Sequence, residues 1–383
     1  MVRKVERLKK NIIIILLITT VIGGSIVTIL TSSFWQTVTW EGTVKNEWGS
    51  GVHSAKVVLK YNGIKQKTVY TNSNGYYSIS CSYYGSQGYT LTFSKEDYTS
   101  SSSCVPAIPG ETITVNKNIS YVERWAIIVG IENYKNPEFD EARHSDNDAK
   151  DWSAFLTKTD GLNFEHVSLY GDNTYSADGL AKESVVKQTL IDTISQTDAG
   201  DIFCFIFAGH GNVTDNNNYY LSMWDDSIGE DGEDGRLYDY ELKDILEDCE
   251  AQRIFLFFDC CHAGGFASEL LDMPNHNHIF FGAGAMHDGH AWYDKKDGNG
   301  CFTQCFLNEA WKENFSGAPN TIFNKQNSDN DLVGLTREHY YEHSINKDKY
   351  YSNTMNDWPK FYDWYTDYRG YFCLTKDYIL DPE

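Results

Sequence analysis

Apolar positions along the chain change their rhythm three times, and each rhythm predicts a different kind of structure. Ile12 to Leu30 (IIIILLITTVIGGSIVTIL) carries no charge, and Arg3, Lys4, Arg7, Lys9 and Lys10 precede it. A run of roughly 20 such residues suffices to cross a bilayer as a helix, and a basic flank stays on the cytoplasmic side. From about residue 37 to 120 the apolar runs become short and alternate with polar residues: AKVVLKY, KTVYT, YYSIS and YTLTF, separated by WGSG, NSNG and YYGSQG. Alternation of period two between turn-forming clusters predicts a small all-β sandwich. From Arg124 onward the pattern becomes continuous apolar runs, WAIIV (125–129), IFCFIF (202–207) and IFLFF (254–258), alternating with helical stretches at 146–157 and 184–194. Runs apolar at every position are strands covered on both faces, so this part is read as α/β, a mostly parallel sheet flanked by helices. The stretch 316–368, rich in Asn, Asp, Tyr and Lys, reads as an irregular insertion before a last strand in FCLTKDYIL.

The organisation expected is therefore a basic flank and membrane anchor over 1–34, a β-sandwich over 37–120, and an α/β domain over 124–383. The N-terminal apolar run is long for a cleaved signal's core, and Thr31-Ser32-Ser33 is a poor cleavage site, so a retained single-pass anchor is favoured over a cleaved signal. Both later domains would then lie outside the cytoplasm. A length of 383 residues with 41% hydrophobic and 15% aromatic content supports two packed cores. A net charge of −22 excludes nucleic acid as the main partner, because phosphate binding needs clustered Lys and Arg. It leaves basic peptides open as ligands. The nine cysteines follow no framework spacing. Cys81 and Cys104 could form one bridge in an extracytoplasmic sandwich, while Cys301 and Cys305 fit a helix core better than a metal site. Trp48 and the sandwich tyrosines are either a contact surface or cross-strand core residues.

Two of the buried runs end in reactive residues. IFCFIF leads into Ala208-Gly209-His210-Gly211, and RIFLFF leads into Asp259-Cys260-Cys261-His262-Ala263-Gly264. In a parallel sheet both ends emerge at one edge, where ligands gather. A thiol beside an imidazole, with glycines clearing the backbone, is the arrangement nucleophilic catalysis requires. Cys261, past the strand where the chain turns, is better placed for this than Cys260, which points into the core. A zinc site of Cys260, Cys261, His262 and His210 is disfavoured, since adjacent residues of an extended chain face opposite ways.

RWAIIVGIENY, FAGHG and DCCHAGG, with Cys261 lying 51 residues after His210, resemble the first strand and the His and Cys motifs of the caspase–metacaspase superfamily of cysteine peptidases. The resemblance runs from Arg124 to about Trp311, and GCFT before CFLNEAW fits it. It implies that Cys261 is the nucleophile, His210 the general base, and Gly211 and Cys261 the amides of an oxyanion hole. It implies that Asp148 and Asp259, with Ser145 nearby, line a primary pocket selecting Arg or Lys in a protein or peptide substrate. Ser145 replaces the family's usual cysteine, and Ala208 its usual serine. Arg143 offers a competing, Asp-selecting reading. No cofactor is required for the chemistry, but relatives often need calcium. DDSIGEDGED, with Asp225, Asp226 and then Asp239, is the candidate site here, and a plain solvated acidic loop is the alternative. Ser268 stands where relatives carry a ligating Asp. Lys295-Lys296 is either an autolytic site or an ordinary exposed loop. The order EGTVKN, AKVVL, TNSNGYYSI resembles the carboxypeptidase-regulatory-like, transthyretin-type β-sandwich. Two further functions stay open: a surface-binding protein with an inactive peptidase-like domain, and a cysteine transpeptidase.

Overall fold

The computed structural model describes residues 36–158, 162–173, 176–293 and 298–310, residue 336, and the backbone of 321–324, 360–363 and 371–373. The expected membrane anchor and Lys295-Lys296 lie outside the described residues, as does most of 316–368. Among the described residues, no helix is long and apolar enough to cross a membrane.

The first half folds as the period-two pattern predicts. Strands β1 (Thr37–Lys45), β2 (Lys56–Tyr61), β3 (Ile64–Tyr70), β4 (Tyr76–Ser82), β5 (Tyr89–Ser94), β6 (Ser101–Val105), β7 (Thr112–Thr114) and β8 (Lys117–Asn118) form two sheets. One has the order β4-β1-β7, with β8 also on β1, and the other is β3-β2-β5-β6. Along β1 alternate residues Val38, Trp40 and Val44 point inward, where they meet Val57 and Leu59 of β2, Tyr77 and Ile79 of β4, and Leu91 and Phe93 of β5. The tyrosines divide between the two expected roles. Tyr77 and Tyr89 are core, whereas Tyr70, Tyr76 and Tyr84 are exposed with Trp48. The possible Cys81–Cys104 bridge does not form. Both thiols are free, and β4 and β6 belong to different sheets.

The second half runs β9 (Arg124–Gly130), α1 (Ser145–Lys158), β10 (His166–Gly171), β11 (Gly179–Leu180), α2 (Glu183–Ile194), β12 (Ile202–Ala208), β13 (Gly211–Val213), β14 (Tyr219–Ser222), β15 (Arg236–Tyr238), α3 (Asp239–Leu246), β16 (Arg253–Asp259), α4 (Ala267–Leu271) and β17 (Ile279–Ala283). Six strands of the main sheet, in the order β11-β10-β9-β12-β16-β17, are parallel to one another. Every residue of β12 and β16 is buried because both sheet faces are covered. Phe203, Phe205, Phe207, Ile254, Leu256 and Phe258 pack with Val186 and Leu190 of α2 and Leu242 and Leu246 of α3. The alternate residues Cys204, Ile206, Phe255 and Phe257 pack on the other face with Trp152 and Leu156 of α1 and with Phe302 and Phe306. Those two phenylalanines sit on a helix, Cys301–Thr303, that continues as a π-helix, Gln304–Ala310. Cys301 and Cys305 are buried beside Trp292, in keeping with a core role.

The region expected to be irregular contributes strands. These are β18 (Thr321–Asn324) and β19 (Lys360–Asp363), whereas β20 (Tyr371–Cys373) overlaps the start of the last strand expected in FCLTKDYIL. β18 pairs with β20, and β19 extends the main sheet as an antiparallel edge on β17. Segments of three or four residues are too short for periodicity to reveal.

Candidate active site

Strand register places the two reactive motifs. β12 and β16 pair in parallel so that Ala208 stands opposite Asp259, which leaves His210 and Cys261 each two residues beyond that rung. Since β10 and β11 lie beyond β9 while β16 and β17 lie beyond β12, the chain reverses direction across the sheet here. That switch point lies between β9 and β12, and ligands gather at the strand ends beside it. His210 and Cys261 leave neighbouring strands at that edge. Directly after His210, Gly211 lies against Cys260 and Cys261, and a Cβ there would overlap the Cys261 carbonyl. Gly211 faces Leu221 of β14 while the Ser222 amide donates to the His210 carbonyl at 2.9 Å. This is the non-hydrogen-bonded kind of antiparallel pair, so the Gly211 N–H is turned away from β14.

His210 is held on three sides. Its Nε2 lies 2.7 Å from the Asp140 carbonyl, which can only accept, so the ring proton sits on Nε2 and Nδ1 carries the lone pair. Its backbone N–H donates to the Tyr134 hydroxyl at 2.7 Å, and the two rings stack with centroids 5.1 Å apart. Burial pushes the Tyr134 hydroxyl's pKa well up, so it stays neutral. Gly209 is required beside it, since a Cβ would collide with that hydroxyl and with the Phe207 ring. Tyr134 lies within GIENY, yet nothing in local sequence assigns it to His210, 76 residues away.

The two cysteines differ sharply. Cys260 is 1% exposed in the core, and burial raises its thiol pKa far above the ordinary value. Cys261 is partly exposed, and its Sγ lies 3.4 Å from the Ala291 amide nitrogen. His262 turns the chain with φ 57°, anchored by its amide to the Gly289 carbonyl at 3.0 Å and by Nδ1 to the His287 carbonyl at 3.0 Å. The following Gly265 passes so close to Tyr219 that any side chain would overlap the ring.

Asp148 and Asp259 meet around Gly300, where a Cβ would strike both carboxylates. Asp148 accepts the Asn299 side-chain amide at 3.0 Å and the Gly300 N–H at 2.9 Å, while Asp259 accepts the Thr303 N–H at 2.9 Å. Both are almost fully buried, and so is Ser145 at the start of α1. Burial, and then the charge of Asp259, raises the Asp148 pKa well above the carboxylate range. Burial raises Asp259 to about 6. Asn299 and Gly300 lie some 150 residues from Asp148, so their part was not readable locally. Arg143 is exposed, paired with Glu141 at 3.6 Å and set over the Tyr293 ring at 5.9 Å, and Tyr293 bridges to Gly300. Nearby, Glu132 follows β9 and is raised to about 7 by burial and by its hydrogen bond with Asp146.

The carboxylates proposed for calcium do not gather. Asp225 accepts the Glu183 amide at 3.1 Å, Asp226 pairs with Arg236 at 2.8 Å, and Asp239 accepts the Tyr219 and Tyr240 amides at 3.2 and 2.9 Å. Asp239 is thereby used as the first residue of α3. Ser268 donates to the Gly265 carbonyl at 3.2 Å. Among the described residues, Asp225, Asp226 and Asp239 do not converge on one point, while Asp225 Oδ2 and Asp226 Oδ2 are buried with no hydrogen-bond partner. Among the described residues, the acidic groups whose oxygens do converge are Glu183, Glu233 and Glu241.

A family model described as Caspase domain matches residues 123–337. No curated protein matches. Among solved structures, a protein from Geobacter sulfurreducens is similar at 16% identity and TM-score 0.42, covering 63% of this chain and 92% of its own. Caspase-1 from Spodoptera frugiperda is similar at 14% identity and TM-score 0.44, covering 68% and 92% respectively. The 3-chlorocatechol 1,2-dioxygenase from Rhodococcus opacus 1CP is similar at 12% identity and TM-score 0.19, covering 22% and 60%.

Proposed function

The chain belongs to the caspase-domain family of cysteine peptidases, and from that premise we propose that it is an endopeptidase cleaving proteins after Arg or Lys through Cys261 and His210. The observation that carries the catalytic assignment is the shared register of His210 and Cys261 past one rung, with Gly211 against the cysteine backbone. In the proposed reaction His210 Nδ1 takes the Cys261 proton and Sγ attacks the scissile carbonyl. The C–N bond breaks as the imidazolium gives that proton to the leaving amine. Water, deprotonated by the same nitrogen, then opens the thioester and releases the carboxylic acid. The N–H groups of Gly211 and Cys261 would receive the oxyanion. The Arg or Lys preference rests on Asp148 and Asp259, whose hydrogen-bond donors among the described residues are neutral amides. A substrate cation supplies the missing charge. Behind its basic flank, the apolar run Ile12–Leu30 would hold this peptidase and its β-sandwich at the outer face of a membrane.

The test is hydrolysis of fluorogenic peptides ending in Arg, Lys or Asp by the full-length chain. Release after Arg and Lys is expected; release after Asp alone would reverse the pocket assignment. Release after none would favour the surface-binding reading, and amine-capped products would indicate transpeptidation.

Protonation gives a second check. Because Asp148 and Asp259 hold protons more tightly folded than unfolded, the folded state binds more protons from about pH 4 upward, to about 6 for Asp259 and through a higher range for Asp148. Their contribution to stability therefore falls as pH rises through that window. A cationic pocket ligand offsets this, so benzamidine is expected to raise the unfolding temperature more at pH 8 than at pH 5. Equal shifts at both values would remove these carboxylates from the ligand site.

Tyr134→Phe keeps the ring stacked on His210 but leaves the His210 N–H without its acceptor. A buried unpaired donor costs about 1–3 kcal/mol. We expect kcat/KM to fall about tenfold, with a shift in the acid limb of its pH profile as the imidazole loosens. A loss of stability with an unmoved pH profile would make Tyr134 purely structural.

A further inference from the structure

The acidic segment between β14 and β15 takes no part in the chemistry above, yet cations from other parts of the chain fasten it. Lys135 and Lys182 both pair with Glu230, Arg236 pairs with Asp226, and Lys187 of α2 pairs with Glu233 at 3.0 Å. Lys187 does more than close one pair. Its Nζ lies 3.3 Å from Glu183, 3.0 Å from Glu233 and 2.9 Å from Glu241.

The three carboxylates are aimed there by the fold. Glu183 spends Oε2 on the Gly235 and Arg236 amides at 2.7 and 2.9 Å, and Glu241 spends Oε2 on the Tyr238 amide at 3.0 Å. In each case Oε1 is the atom that meets Lys187. One oxygen from each glutamate lies within 4.8 Å of the others. Oxygens at about 2.3–2.6 Å from a calcium ion span the same distance across its coordination shell. The centre of that triangle is held by an ammonium.

We propose that Lys187 fills, as a cation tethered to α2, a position that would otherwise be a divalent-cation site, so that this face of the domain is closed by the chain's own charge. A metal ion would have to be captured at a concentration set by its surroundings. The ammonium is present whenever α2 is folded. Three carboxylates left without it would repel one another, because Glu183 is 1% exposed and cannot turn to water. The segment from β14 to β15 is therefore closed in chelator as fully as in calcium. This inference does not depend on the peptidase reading and is tested without activity.

The experiment compares the full-length chain, in detergent micelles, with Lys187→Met, Lys187→Arg and Lys187→Met/Glu233→Gln. Thermal unfolding is followed in EDTA and in about 10 mM calcium, a concentration that would fill even a weak site, and calcium stoichiometry is read by equilibrium dialysis. In EDTA, Lys187→Met is expected to unfold at least about 4 °C below the wild type, and calcium restores most of that difference. It binds one more calcium than the wild type. Lys187→Arg gains none, and Glu233→Gln in the Lys187→Met background abolishes the gain. If Lys187→Met is unfolded in EDTA, folding on addition of calcium supports the proposal and failure to fold overturns it. A folded Lys187→Met with no added calcium and no calcium response overturns it too. So does a wild type that loses a bound calcium on Glu233→Gln.

Discussion

Cys261→Ala is expected to lower peptide hydrolysis by at least about 10⁴-fold, whereas Cys260→Ala stays within a few-fold of the wild type. Both residues carry the same side chain and are adjacent, so only their surroundings separate them. The Cys260 thiol is in the core, with a pKa raised by burial, and Gly211 packs directly on its sulfur side. A thiol in that state supplies almost no thiolate near neutrality. Cys261 is partly exposed and level with His210 in the strand register, where a neutral imidazole with its lone pair on Nδ1 would take the proton. Cys260→Ala should instead cost stability, about 1 kcal/mol for the lost buried sulfur. Reaction with a peptidyl chloromethyl ketone ending in Arg, read by intact mass, checks the assignment independently of turnover. One adduct is expected on the wild type and on Cys260→Ala, and none on Cys261→Ala. An adduct that persists in Cys261→Ala and disappears in Cys260→Ala would exchange their roles.

Asp148→Asn is expected to reduce kcat/KM for peptides ending in Arg or Lys by about 10²–10³-fold, the cost of leaving a buried charge without its partner. Asp259→Asn should behave alike, because the two carboxylates close on the same space around Gly300. Slow cleavage after a neutral residue should be unchanged or improved. The free proteins should respond in the opposite sense. Asp148→Asn removes a carboxyl whose pKa burial and then the charge of Asp259 hold above the ordinary range, so it is expected to raise the unfolding temperature at pH 8. Differential scanning calorimetry with and without benzamidine separates the effects. A variant that is less stable and still prefers Arg would show that Asp148 serves only to hold Asn299 and Gly300.

The calcium expectation shows how little proximity in sequence says about where acidic residues point. Asp225, Asp226 and Asp239 look like a set because they are close in the chain and hard in chemistry. The fold gives them to an amide of α2, an arginine and the start of α3. Glu183, Glu233 and Glu241 do converge, but they come from α2, the loop before β15 and α3, and a lysine already stands among them. No run of residues could display that grouping. Cys81 and Cys104 likewise remain free thiols, on strands of different sheets.

What the sequence determines by itself is whatever repeats along the chain or is confined to a few neighbours. The period-two alternation in β1 and the unbroken apolar runs of β12 and β16 follow from burial on one sheet face or on both. His210 and Cys261 could be singled out because each follows such a run directly. Tertiary structure alone decides what stands across from them. Parallel pairing sets Ala208 against Asp259 and so brings the two motifs level. Chain reversal brings Tyr134 and the Asp140 carbonyl onto His210, and Gly300 between Asp148 and Asp259. These contacts join residues tens to hundreds of positions apart, through backbone atoms common to every residue type. Their chemistry leaves no local mark, because an amide or carbonyl acquires its role only when packing fixes what it faces.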